Sequence, residues 1–215
     1  MTSERHAAAF LSAVDASLAL ASAPEVATAW GSESSCAGMT VGGLAHHLLG
    51  QAVNTARGLR ADPSGSPAPI ALLEHYDRAS WVRATPDDEA NVSIREGDNE
   101  QALAGPEQVL ARAREHIAEL PGLLSAPREP DTVFIPWQGW SLTTEDFLTT
   151  RMMEMVVHGD DLASSVGLPT PVHADDVVTP VLALLAGVAA RRHGQVAVVR
   201  ALSRPQRVAG SVSAF

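Results

Sequence analysis

Glu154 and His158 stand four residues apart in the segment Arg-Met-Met-Glu-Met-Val-Val-His-Gly-Asp-Asp-Leu-Ala, which runs from Arg151 to Ala163. On a helix of about 3.6 residues per turn, that spacing puts both side chains on one face. Every residue from Met152 to Val157 except Glu154 is apolar, and a helix that is apolar all round is a buried one. Glu154 is therefore expected inside the fold, where a carboxylate must be neutralised, paired with a cation or bound to a metal. Arg151, three residues earlier on the same face, offers an intrahelical ion pair. His158 offers a second metal ligand, and His47, far upstream, a third. Two histidines and a glutamate, with a fourth position left to water, are a common catalytic zinc set for hydrolysis or group transfer. Spacing alone leaves the ion pair and the metal site both open.

These side chains need helices to position them. Thr40 is a good N-cap for a helix over 41–60, with Val41, Leu44, Leu48, Ala52, Thr55 and Leu59 as its buried stripe. His47, Gln51 and Asn54 flank that stripe, whereas His46 points nearly opposite and is expected to face water. Thr143 and Asp146 resemble a capping pair for the Glu154 helix, over 144–166, which Gly167 and Pro169 end. Two more amphipathic helices are expected over 3–22, capped by Ser3 or Thr2, and over 106–124, opened by Pro106.

The rest of the chain reads as accessory. A short helix is predicted over 70–83, a long one over 177–192 with Asp176 as its cap, and a further turn or two over 196–202. Residues 23–40 and 61–69 are predicted loops. Residues 85–105, acidic and aperiodic, read as a surface excursion. Residues 132–142 hold Trp137 and Trp140 and read as a loop or short strand, with no alternation strong enough for a sheet. The two tryptophans suit a ligand pocket or ordinary core. The fold class is all-α, with residues 1–203 as one helical unit and 204–215 as a polar tail.

Composition narrows the function. Of 215 residues, 46% are hydrophobic, enough for one buried core. The net charge of -10, with no Lys/Arg cluster, argues against a nucleic-acid partner. Glu4 and Asp15 interrupt the leader a secretory signal would need, and the apolar run 181–190 is far below the ~18 residues of a membrane span. No membrane partner is expected. Cys36 is the one cysteine, which suits a reducing cytoplasm; with no Lys or His close in sequence, its thiol has no visible activator. Asp161 returns to the Glu154 face, where it suits either orientation of a ligand histidine or a cap or solvent ion pair. No phosphate loop, nucleophile elbow or zinc ribbon is present.

The stretch Thr40-Val41-Gly42-Gly43-Leu44-Ala45-His46-His47-Leu48, and above all Arg151-x-x-Glu154-x-x-x-His158-Gly159-x-Asp161-Leu162-Ala163, resemble two motifs of the mycothiol-dependent maleylpyruvate isomerase N-terminal domain family. That family is a branch of the DinB-like metal-binding four-helix bundles. The helix pattern agrees over about residues 3–203; Met39, Gly43 and Asp160 replace the Trp, Asp and Trp that are common at those places. The resemblance implies a DinB-like four-helix bundle with accessory helices, and a divalent ion on His47, Glu154 and His158. Zinc is expected first, with nickel or iron as alternatives. It also implies a mycothiol-type thiol as cosubstrate and a small electrophile as substrate, in S-transfer or isomerisation. A thiol-independent hydrolase or isomerase, and a non-catalytic metal or small-ligand binding protein, are the competing functions. A homodimer is the candidate assembly.

Overall fold

Two threonines start the helices that carry the candidate ligands. Thr40 accepts from the backbone N–H of Gly43, and Thr143 from that of Asp146, so each satisfies one of the amides that a helix start leaves orphaned. The computed structural model describes residues 4–82, 88–207 and 210–215. The Thr2 or Ser3 cap expected for the first helix lies outside those residues.

In chain order the elements are α1 (Glu4–Ala21), α2 (Pro24–Thr28), α3 (Val41–Arg60), α4 (Leu72–Arg78), α5 (Glu89–Ala102), α6 (Pro106–Ser125), β1 (Thr132–Ile135), β2 (Trp140–Thr143), α7 (Thr144–Val166), α8 (Asp175–His193) and α9 (Gln195–Ser203). The bundle is α1, α3, α6 and α7: α3 packs on α6 and α7, and α1 on α3, α6 and α7. α8 covers the outside of α1 and α7. The expected stripe of α3, from Val41 to Leu59, is buried throughout, and so are Leu148, Met152, Met153 and Met155 of α7. The chain is an all-α bundle, as its helical periodicity implies, and of the DinB-like kind that the family resemblance implies. Among the described residues, no helix is long and apolar enough to cross a membrane.

A small hairpin fixes the start of α7. β1 and β2 pair antiparallel, Val133 opposite Leu142, and Val133, Ile135 and Leu142 form a second apolar cluster with Leu59 and Phe147. Arg128 donates to the carbonyls of Gly58, Leu59, Ala61 and Thr132, so it caps the end of α3 and ties it to β1. The sequence reading expected no sheet here. Four-residue strands interrupted by Pro136 and Gly139 are too short for period-two alternation to be seen.

Other boundaries differ for local reasons. Residues 24–28 form a helix with Pro24 in its first turn, inside the expected loop. The predicted 70–83 helix is α4 followed by a 3-10 turn at Ser80–Val82. α6 runs through Pro121 to Ser125, and α8 starts at Asp175 after Ala174, with no side-chain cap from Asp176. The tail folds back instead of trailing in solvent. His193 Nε2 lies 2.7 Å from the Ser213 carbonyl, Ala214 is buried, and the Phe215 ring sits 5.9 Å from that of Tyr76.

The largest correction is α5. Residues 89–102, within the expected excursion, form a helix packed on α3. Its attachment is polar: Asn99 Oδ1 accepts from the N–H and hydroxyl of Thr40, and Trp30 Nε1 donates to the Ala102 carbonyl. Gly42 and Gly43 permit this approach. A Cβ on Gly43 would lie 2.2 Å from Asn99 Oδ1, and one on Gly42 would lie 2.5 Å from the Trp30 ring. Asn99 Oδ1 thus occupies the space that a side chain at position 43 would take. Gly42→Ala is expected to destabilise the protein by about 1–3 kcal/mol through overpacking. Gly50→Ala, in the same helix with nothing within 4 Å of the added methyl, should stabilise it by about 0.5–1 kcal/mol. Urea unfolding of both variants checks the pair; equal effects would contradict the packing described.

Candidate metal centre

α3 and α7 bring His47, Glu154 and His158 together inside the bundle. Glu154 Oε2 lies 3.3 Å from His158 Nε2 and 3.6 Å from His47 Nε2. The imidazoles meet edge to face with centroids 4.8 Å apart, and one ligand atom from each of the three residues lies within 4.8 Å of the others. The Glu154 side chain is 13% exposed.

Each ring is anchored through its other nitrogen. His47 Nδ1 is 2.8 Å from Asp98 Oδ2, and His158 Nδ1 is 3.0 Å from Asp161 Oδ2. A carboxylate on Nδ1 fixes ring orientation and keeps Nε2 aimed inward, which is the outer-shell pattern of metal-ligating histidines. Asp161, foreseen as one way to orient a ligand, takes that place. Asp98 belongs to α5 and had no signal in the sequence reading, because it sits in a segment with no apolar periodicity.

Asp98 also explains His46. Its other oxygen lies 2.6 Å from His46 Nδ1, so His46 does not simply face water: its side chain is 32% exposed and pinned to the α5 carboxylate. Arg151 differs from expectation as well. Its Nη1 donates to Gln51 Oε1 at 2.7 Å, its Nε donates to the Thr150 hydroxyl, and the guanidinium lies over the Phe147 ring. Among the described residues, Arg151 forms no ion pair with Glu154, whose neighbours are the two imidazoles. Gln51 in turn donates to the His47 carbonyl, linking the cation to the ligand helix.

The two tryptophans take different places. Trp137, at the hairpin turn, is 66% exposed. Trp140 Nε1 donates to His75 Nδ1 at 3.0 Å. Burial, with Arg151 nearby, depresses His75 to about 4, so this ring stays neutral.

Electrostatics follow from burial and pairing. Burial alone would raise Glu154, yet the hydrogen bonds from His158 and His47 outweigh it and hold the carboxyl well below its ordinary value. Burial alone would lower His158, but Asp161, Cys36 and Glu154 raise it well above its own. His47 is raised in the same way, burial being outweighed by Asp98 and Glu154. Two imidazoles of raised pKa converge on one carboxylate, and each is backed by a further carboxylate. The donor set fits a divalent ion: two imidazole nitrogens and one carboxylate oxygen, with two oriented rings.

The model of the mycothiol maleylpyruvate isomerase N-terminal domain matches residues 10–163, and the chain belongs to that family. No curated protein and no solved structure matches it.

The pH dependence of the metal-free protein tests the network. The stability due to Glu154 is present above its ordinary value of 4.5 and lost as pH falls through its depressed one. That due to His158 is present below 6.5 and lost as pH rises through its elevated value. In chelator-treated protein, the excess in melting temperature of wild type over Glu154→Gln should be greatest between pH 4.5 and 6.5 and should narrow on both sides. An excess that keeps growing above neutrality would contradict the pairing.

Proposed function

We propose that the chain is a metal-dependent enzyme that uses a low-molecular-weight thiol of the mycothiol type, in S-transfer or isomerisation on a small electrophilic substrate. The observation that carries this reading is the convergence of His47 Nε2 and His158 Nε2 on Glu154 Oε2, with each Nδ1 held by a carboxylate. Membership of the mycothiol-associated isomerase family supports the thiol. Three protein ligands suit a catalytic ion, which keeps a position for a reactant, better than a closed structural one.

His47, Glu154 and His158 would hold the ion, with zinc as the first candidate and nickel or iron as alternatives. When bound, a divalent ion supplies acidity, lowering the pKa of a thiol so that thiolate is present at neutral pH. The protein's own part is orientation. Asp98 and Asp161 keep the ring planes fixed, so that both Nε2 atoms would face the ion unprotonated. Gln51, bonded to Arg151, holds the α3 backbone at His47. Glu154, with its side chain 13% exposed, is largely withdrawn from water, which strengthens the charge interactions around it. The partners in this reading are a small electrophile and a thiol, with no nucleic acid or membrane; the location is the cytoplasm, and a homodimer is the assembly to test.

Metal analysis of protein purified without added metal should find about one divalent ion per chain, lost in His47→Ala, Glu154→Ala and His158→Ala. His46→Ala should retain it. Since an ion bound only by the folded state stabilises by about 2.7 kcal/mol at 100-fold excess over Kd, a chelator should lower the melting temperature of wild type by several degrees and leave His158→Ala unmoved. Full metal retention in Glu154→Ala would overturn the site. Thiol consumption with a model electrophile, abolished in His47→Ala, separates the thiol enzyme from a metal-assisted hydrolase or isomerase that needs no thiol. Metal binding without any turnover would leave a binding protein.

A further inference from the structure

Cys36 is the one cysteine of the chain, and folding puts it where its sequence neighbours gave no hint: beside His158 and Asp161. One ligand atom from each of Cys36, His158 and Asp161 lies within 4.8 Å of the others, and all three residues are half-buried, within reach of solvent. The loop that carries the thiol is fastened to α7 at that point. The Ser35 N–H donates to the Ser165 hydroxyl at 2.9 Å, and the Ser35 hydroxyl donates to the Asp161 carbonyl at 2.8 Å. On the other side of Cys36 a tight turn closes, with Met39 N–H donating to the Cys36 carbonyl and Gly38 at φ 83°, a conformation that suits glycine. The thiol is therefore mounted between two fixed points, one of them the backbone of Asp161 itself.

A thiol, an imidazole and a carboxylate on a preformed mount are the donors of a thiophilic divalent site. We propose that Cys36, His158 and Asp161 form a second metal site, distinct from the His47–Glu154–His158 set and sharing the His158 ring with it. The two nitrogens of that ring face different ways. Nε2 lies 3.3 Å from Glu154 and Nδ1 lies 3.0 Å from Asp161, so an ion in the second set is held by Nδ1. The thiol does not belong to the first set, since the groupings of ligand atoms join Cys36 to His158 and Asp161, and His47 and Glu154 to His158. The inference does not rest on the thiol-enzyme reading; it needs only these three side chains.

Chemistry makes the second site the weaker one. Binding there releases the Cys36 S–H proton to solvent. With both nitrogens of His158 engaged, the ring also gives up its remaining N–H proton. Asp161, which otherwise accepts from Nδ1, turns to the ion. A soft cation such as zinc, cobalt or cadmium therefore fills this site after the first. An added thiol is then not the only possible source of a metal–sulfur signal in this protein.

The test is a titration of Co2+ into the chelator-stripped full chain with no thiol added, followed by cobalt–thiolate absorption in the near ultraviolet. Wild type should bind two equivalents, the band growing with the second. Cys36→Ser, a change of one atom at a half-exposed position, should lose the band and weaken the second equivalent by at least about tenfold, with the first unchanged. Asp161→Asn should weaken the band-forming equivalent as well. Glu154→Gln and His47→Ala should lose the first equivalent and keep the band. Absence of the band in wild type, its survival in Cys36→Ser or its indifference to Asp161→Asn would overturn the proposal, and so would its loss in Glu154→Gln, which would put Cys36 on the first ion. If Glu154→Gln keeps both equivalents and the band, the first site fails and the second stands.

Discussion

A carboxylate carried on an otherwise apolar stretch of helix sets the terms for this bundle. Glu154 sits on a helix whose neighbouring residues are all apolar, and the free energy of an unpaired buried charge exceeds what most single interactions return. Helix α7 can pack only if something meets that charge. Two imidazoles do, one from the next turn of the same helix and one from α3. This requirement fixes the relative rotation of α3 and α7, because turning either helix by one residue, about 100°, would withdraw its histidine. The other elements act on that constraint. The hairpin and Arg128 set the start of α7 against the end of α3, and Asp98 of α5 and Asp161 of α7 brace the outer nitrogens of the two rings.

The arrangement is layered by charge. At the centre is one carboxylate, around it two imidazoles, and beyond them Asp98 and Asp161. Without an ion, the hydrogen bonds of the two rings offset the burial of Glu154; an ion in the proposed site would take the place of ring protons. Folding and ligand binding therefore draw on the same geometry. Rings already oriented by Asp98 and Asp161 would need little reorientation to accept an ion, which is the physical meaning of a preorganised site. Arg151 enters this layer indirectly, through Gln51, and adds positive potential near Glu154 without an ion pair to it.

How much of this the sequence disclosed follows from which forces leave periodic traces. α3 and α7 were legible to within a residue, because each combines a threonine cap, a buried stripe and a clear stop. The i, i+4 spacing placed Glu154 with His158, and the flank position of His47 pointed it inward. α5 was missed because it is held by Asp98, Asn99 and the Trp30 indole and not by an apolar face; polar docking has no period. The fate of Arg151 depended on a glutamine 100 residues away in the chain, and Cys36 met His158 only through the loop fastened at Ser35. Contacts of that kind are tertiary. The pair of glycines at 42 and 43 was the available clue to α5, since two adjacent glycines in the first turn of an otherwise good helix are costly unless something packs closely against them.

Family membership and site geometry bear on different levels of the same question. The first gives the helical bundle and a family named for a mycothiol maleylpyruvate isomerase domain; the second gives a donor set suited to a divalent ion. The most direct measurement of the central claim is an anomalous difference map from crystals of the protein as purified, collected on both sides of the absorption edge of the metal found in it. The expected result is a peak about 2.0–2.2 Å from the Nε2 atoms of His47 and His158 and from a carboxylate oxygen of Glu154. A map with no peak between these three side chains, in protein shown by analysis to carry its metal, would contradict it.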